Sequence, residues 1–149
     1  MPNDPFKSEE YKEIQREHLY KTILFLLERG IEFGAAAELK YVQFDPELPE
    51  EIRKRLRDIS LFVLSGYTYE SAELEEDFLR FEAGFGEENF GSWVTIPLLA
   101  LKQIFVDDYP IAINIAEAEP LNALPDPSHS MEALLKNPEN LKLLKKKKK

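Results

Sequence analysis

Apolar side chains first recur along this chain at helical spacing. Tyr11, Ile14, His18, Leu19, Thr22, Ile23 and Leu26 stand three or four apart and trace one stripe of an amphipathic helix. Ser8 precedes the stripe as a candidate N-cap, and Glu9 and Glu10 fall in the first turn, where the helix dipole favours acids. Tyr20, Leu24, Phe25 and Leu27 widen the stripe toward its C-terminal half, and Gly30 supplies the stop. The spacing predicts a helix over residues 8–29 whose apolar arc is wider than one sheet face requires. The excess is expected to face a partner helix.

Beyond Gly30 the period shortens to two. Residues 37–44 read as a strand with Leu39 and Tyr41 on one face and Val42 and Phe44 on the other. Pro46 and Pro49 break it, and Pro49 opens a short helix over 49–58. Residues 59–64 (ISLFVL) form a buried-looking strand ended by Ser65-Gly66, and an acidic loop follows over 69–76. DFLRFEAGFG (77–86) pairs as a hairpin with SWVTIP (92–97); LLALKQIF (98–105) resembles a short helix and IAINI (111–115) a last strand. From Glu117 onward Pro120, Pro125, Pro127 and Pro138, with Asn, Ser and Asp, describe an unstructured linker. The pattern predicts an α+β, mostly β domain over residues 1–116, a linker over 117–140 and a terminal peptide over 141–149. There are no internal repeats.

Composition agrees with a folded body. The apolar fraction is 44 %, with ten Phe, six Tyr and one Trp in 149 residues. No apolar run approaches the roughly 18 residues of a membrane span, and the polar, acidic start MPNDPFKSEE has no secretory signal, so the cytoplasm is the expected compartment. The absence of cysteine removes disulfides, thiolate metal sites and thiol catalysis.

Charge changes the picture more. The net charge of −9 combines two unlike parts: residues 141–149 hold six lysines and no acid, which leaves 13 basic against 28 acidic residues in 1–140. An acidic body repels phosphate backbones, so neither nucleic acid nor a membrane is an expected partner.

Candidate chemistry is sparse. His18 lies on the helix stripe and His129 in the linker; a metal or a catalytic base needs converging partners held rigidly, which an unstructured linker is not expected to supply. The acid pairs Glu50-Glu51, Glu75-Glu76, Glu87-Glu88 and Asp107-Asp108 fall at expected turns and lack the spacing of a calcium loop. Phosphate loops, nucleophile elbows and dinucleotide fingerprints are missing, so no catalytic residue, metal or cofactor is expected. Gly84 and Gly86 interrupt an aromatic strand; the reading is either a bulge that bends a small barrel or a groove floor where an extended peptide lies against Phe81, Ala83 and Phe85. The end LKLLKKKKK sets three leucines beside six lysines, a hydrophobic-basic docking signal, since leucines on a free tail bury nothing at home.

The order of these motifs resembles the stringent starvation protein B (SspB) family, specificity-enhancing adaptors of the ClpXP protease. DFLRFEAGFG followed by VTIPLLAL resembles the family's aromatic strand, its FG turn and its helix begun at V-P; ISLFVLSG resembles the preceding strand, residues 14–27 the N-terminal helix, and LKLLKKKKK the ClpX-docking peptide. The resemblance implies an N-terminal helix, then a curved antiparallel sheet forming a small, partly open SspB- or Sm-like barrel, a disordered C-terminal tail, and a homodimer through residues 8–29. It implies a groove for degradation tags bound as extended peptides, lined by Leu64, Ser65, Tyr67, Ala83, Gly84 and Phe85, with Leu141, Leu143, Leu144 and Lys145 docking on the ClpX unfoldase. Gly84 stands where the family often has a basic residue, and Glu87 and Glu88 occupy a longer turn, so neutral or basic tags are expected to be preferred. The mechanism implied is tethering: as a coil the 24 residues of 117–140 span roughly 25–30 Å and give an effective concentration near the mM scale. Two other readings share these features, a peptide- or protein-binding module unrelated to proteolysis, and a lysine-tail tether to an anionic surface.

Overall fold

The computed structural model describes residues 4–120. Helix α1 (Glu9–Glu28) starts where capping chemistry says it should: the Ser8 hydroxyl accepts from the Tyr11 N–H at 3.1 Å, with Glu9 and Glu10 in the first turn. Gly30 ends it in the left-handed region, φ 72. Leu19, Ile23 and Leu26 are its buried face, packed against the Leu98–Ala100 turn, while Ile14 and Phe25 are about half exposed on another side.

Eight strands follow: β1 (Phe33–Glu38), β2 (Gln43–Asp45), β3 (Ile59–Leu64), β4 (Glu73–Leu74), β5 (Phe78–Phe85), β6 (Phe90–Pro97), β7 (Leu101–Val106) and β8 (Tyr109–Ile113). They form two antiparallel four-stranded sheets, ordered β3-β1-β7-β8 and β2-β6-β5-β4, which do not close into one cylinder. The expected fold class, an N-terminal helix followed by antiparallel sheet, is the one observed. Short helices α2 (Glu50–Arg53) and α3 (Gly66–Glu70) lie in the connections. Among the described residues no helix is long and apolar enough to cross a membrane.

The core lies between the sheets. Phe33, Ala35, Ala37, Phe62, Leu64 and Ile104 face it from the first sheet, and Phe44, Leu79, Phe81, Val94 and Ile96 from the second. Phe62 links the two, its ring 6.4 Å from Phe44 and 6.0 Å from Phe81. Phe81 is wholly buried, and removing a ring of that size from water contributes roughly 2–3 kcal/mol.

Several expected elements differ in kind or extent. Residues 98–105 are not a helix: Leu98–Ala100 make one 3-10 turn and the chain continues as β7, between β1 and β8. Leu98, Leu99, Ala100 and Leu101 are all buried, so the run has no polar helical face, and a short apolar run cannot by periodicity be told from a buried strand. The buried Asn114 side chain also holds this turn open, donating to the Leu99 and Leu101 carbonyls at 3.0 and 2.9 Å. The strand expected over 37–44 is two strands in different sheets, with a 3-10 turn, Leu39–Tyr41, carrying the chain from one to the other. The helix expected over 49–58 shortens to α2, and the acidic loop contains β4. The chain also stays on the body past residue 116: Ala118 is buried, and Glu119 lies 3.4 Å from Lys12 and 3.5 Å from Arg16. The remainder of the expected linker lies outside the described residues.

Candidate functional site

The residues 59–64 strand was expected to be buried; only one of its faces is. Ser60, Phe62 and Leu64 point into the core, while Ile59, Leu61 and Val63 are 50 %, 59 % and 62 % exposed. Strand period makes the cause plain: β3 is an edge strand, and its second face has no sheet opposite it. The same holds across the sheet. Register places Val63, Gly34 and Phe105 in one outward row and Leu61, Ala36 and Gln103 in the next, with Ile113 paired to Gln103 on β8.

Gly34 and Ala36 turn these rows into a trough. Large side chains rise from β3 and β7, and the strand between them presents almost none. A Cβ added at Gly34 would meet Leu61 Cδ1 at 3.3 Å and Phe105 Cβ at 3.9 Å, so any larger residue would fill the gap. At this end the trough deepens into a cleft of about 350 Å³ floored by Gly34 and walled by Leu61, Val63 and Phe105.

Three carboxylates stand at the mouth of the cleft. Asp107 and Asp108 form the two-residue turn between β7 and β8, both with left-handed backbone, φ 50 and 69, a conformation that aspartate tolerates and that suits a tight hairpin. Glu32 precedes β1, and its carboxylate accepts from the Gly66 N–H at 2.7 Å, which fixes the start of α3. Among the described residues none of the three has a basic partner. The charge of Glu32 reaches Tyr69, whose hydroxyl donates to the Leu26 carbonyl at 2.8 Å; burial chiefly, and this carboxylate in addition, hold that phenol above its ordinary range.

The site residues expected from sequence are distributed over two places. Ser65 lies exposed at the end of the cleft, whereas the side chain of Leu64, expected to line the groove, is wholly buried in the core. Tyr67, 66 % exposed on α3, donates its hydroxyl to Glu82, and this hydrogen bond, with the negative charge of Glu82, raises the phenol's pKa. Ser71 ties the same segment to β5 by accepting from the Glu82 N–H at 2.8 Å. Ala83, Gly84 and Phe85 belong to β5 in the other sheet, where Phe85 packs edge-on against Phe44 at 5.7 Å and Phe81 is inside the core. No bulge is present there, since β5 and β6 pair without a break from Phe78↔Pro97 to Phe85↔Phe90. Gly84 answers to a different need: the Asn89 side chain folds over it, and a Cβ would sit 1.7 Å from Asn89 Oδ1. The docking residues Leu141, Leu143, Leu144 and Lys145 lie outside the described residues, as does His129; His18 is exposed on α1.

Sequence reasoning missed Gly34, Ala36, Leu61, Val63 and Phe105 as a common surface. A signal existed: FGAAAE is a strand of small residues, unusual beside a strand as bulky as ISLFVL. Among the described residues no three His, Asp or Glu side chains converge on a metal-sized site. What this surface can do chemically is to exclude water from an extended apolar chain while the carboxylates select against negative charge. No protein-family model and no curated protein sequence matches this chain.

Proposed function

We propose that this chain is a non-enzymatic adaptor that holds degradation tags as extended peptides and tethers them to the ClpX unfoldase of ClpXP. The observation that carries the reading is the open trough on the outer face of the first sheet: exposed Leu61 and Val63 on one wall, Phe105 on the other, small residues between. A contiguous apolar face of this kind has no folding purpose, and an extended peptide matches its width and its two-residue period. Ser65 serves its rim, while Leu64 anchors the same strand end in the core, and the segment carrying Leu141, Leu143, Leu144 and Lys145 serves the unfoldase.

Homodimerisation through residues 8–29 belongs to the same proposal. Ile14 and Phe25 are 57 % and 49 % exposed on one side of α1, and Arg29 covers the Phe25 ring at 4.5 Å without burying it. A second helix laid there would finish the burial. The test of function is degradation of tagged reporters by ClpXP at sub-saturating substrate. Addition of the chain should speed degradation, and Val63→Lys should remove the effect while leaving the fold intact. No acceleration with any tag would overturn the proposal.

A further inference from the structure

The chain carries its own candidate occupant for the trough. Its last nine residues, LKLLKKKKK, combine the two properties the surface selects: leucines for the apolar floor and cations for an acidic mouth. We propose that Leu141–Lys149 docks in cis in the trough on β1, so that the unloaded protein occludes its own peptide site. The inference rests on the reading of the trough as a peptide site.

The registers agree. In an extended chain Leu141 and Leu143 point to one side, about 6.8 Å apart, and the outward positions Ala36 and Gly34 on β1 are separated by the same two-residue step. Leu141 over Ala36 and Leu143 over Gly34 sets the segment antiparallel to β1. Lys145 and the lysines after it then project past Gly34 toward Asp107, Asp108 and Glu32, the three carboxylates without a basic partner among the described residues. The opposite orientation would carry the lysines away from all three, toward Lys102, which is already engaged by Glu38 at 3.0 Å.

Reach permits it. The described chain ends at Pro120, and the twenty residues 121–140 can extend to about 65 Å. A body of this size has a radius of gyration of about 13 Å, so no point on its surface is out of range. A tether of this length gives an effective concentration around the mM scale, enough for a weak contact to hold the segment most of the time. The consequence for function follows from linkage: a tag that takes the trough expels the tail, and an expelled tail is available to the unfoldase. Loading would thereby license docking.

The test uses full-length protein. Dye-labelled LKLLKKKKK is titrated by fluorescence anisotropy onto the wild-type chain and onto Leu141→Asp/Leu143→Asp, which deprives the tail of its anchors. The double variant should bind the probe at least about tenfold more tightly than wild type, as expected for relief from an intramolecular competitor. Val63→Lys in the same background should abolish binding, and Asp107→Asn/Asp108→Asn should weaken it severalfold and flatten its salt dependence. A nonamer of lysine alone should bind poorly. Equal affinity of wild type and double variant, or equal binding of oligolysine, would overturn self-docking. If tag peptides bind both proteins alike, the peptide-site reading stands and only the tail inference falls; if the tail probe binds and no tag does, the adaptor reading falls instead. Dimerisation through this face, detected by light scattering and broken by Val63→Lys, would overturn both the occupant and the cis geometry.

Discussion

The two sheets have the same number of strands and opposite outer faces. On the β2-β6-β5-β4 sheet the outward positions answer one another: the Arg80 guanidinium stacks 4.1 Å over Trp93, bonds Glu73 at 3.1 Å, and Tyr67 reaches across to Glu82. On the β3-β1-β7-β8 sheet the outward rows are Val63, Gly34 and Phe105, then Leu61, Ala36, Gln103 and Ile113; Leu61, Val63 and Ile113 are more than half exposed, and Phe105 is partly buried. Cross-strand pairs of charge and ring finish a solvent face; aliphatic side chains over a small-residue floor leave it open to a partner. The contrast locates the site more firmly than any single residue does.

The comparison can be broken most severely inside the core, where both sheets should behave alike. Phe81→Ala and Phe62→Ala should each cost about 3–5 kcal/mol by urea denaturation, whereas Leu61→Ser, one residue from Phe62, should stay within about 0.5 kcal/mol. A Leu61 variant as damaging as Phe62→Ala would mean the outer face is covered after all.

Binding should separate the faces next. Leu61→Asp or Val63→Lys should lower tag affinity at least about tenfold, roughly 1.4 kcal/mol, with melting unchanged, while Arg80→Ala should reduce stability modestly and leave tag binding as it was. Isothermal titration with one peptide on all three variants decides this. Loss of binding in Arg80→Ala would move the site to the other sheet. Removal of residues 141–149 should abolish delivery to the unfoldase and leave cooperative unfolding intact, lowering the melting temperature only by the small contribution of the docked tail.

Smaller effects concern α3 and the rim. Tyr69→Phe removes the hydrogen bond to the Leu26 carbonyl and should cost about 1 kcal/mol. Folding holds this phenol's pKa above its unfolded value near 10, so its contribution is complete below about pH 10 and is lost as pH rises through the folded pKa. Alkaline unfolding should therefore be shallower in Tyr69→Phe, and an unchanged alkaline limb would refute the assignment. Smallest of all, Glu87→Lys with Glu88→Lys, in the β5–β6 turn away from the cleft, should leave the preference between acidic and basic tags within about 0.5 kcal/mol at low salt. Because the cleft lies on the other sheet, Asp107→Asn with Asp108→Asn is the sharper version of the same measurement. A response to the first pair alone would return the groove to Ala83–Phe85.

Local signals in the sequence were sufficient for α1, from its Ser8 cap to its Gly30 stop, and for the β5–β6 hairpin, because capping and strand alternation act over a few residues. The basic composition of residues 141–149 is likewise a matter of sequence alone. Tertiary structure alone decided that 98–105 becomes a 3-10 turn and a strand, since only the vacancy between β1 and β8 distinguishes it from a buried helix of the same apolar residues. It also decided which half of ISLFVL faces water: Leu61 and Phe62 are equally apolar, and the presence of Phe44 and Phe81 opposite one of them is what made it core. The trough arises in the same way, because Gly34 and Ala36 become a floor only when strands distant in sequence raise Val63 and Phe105 on either side.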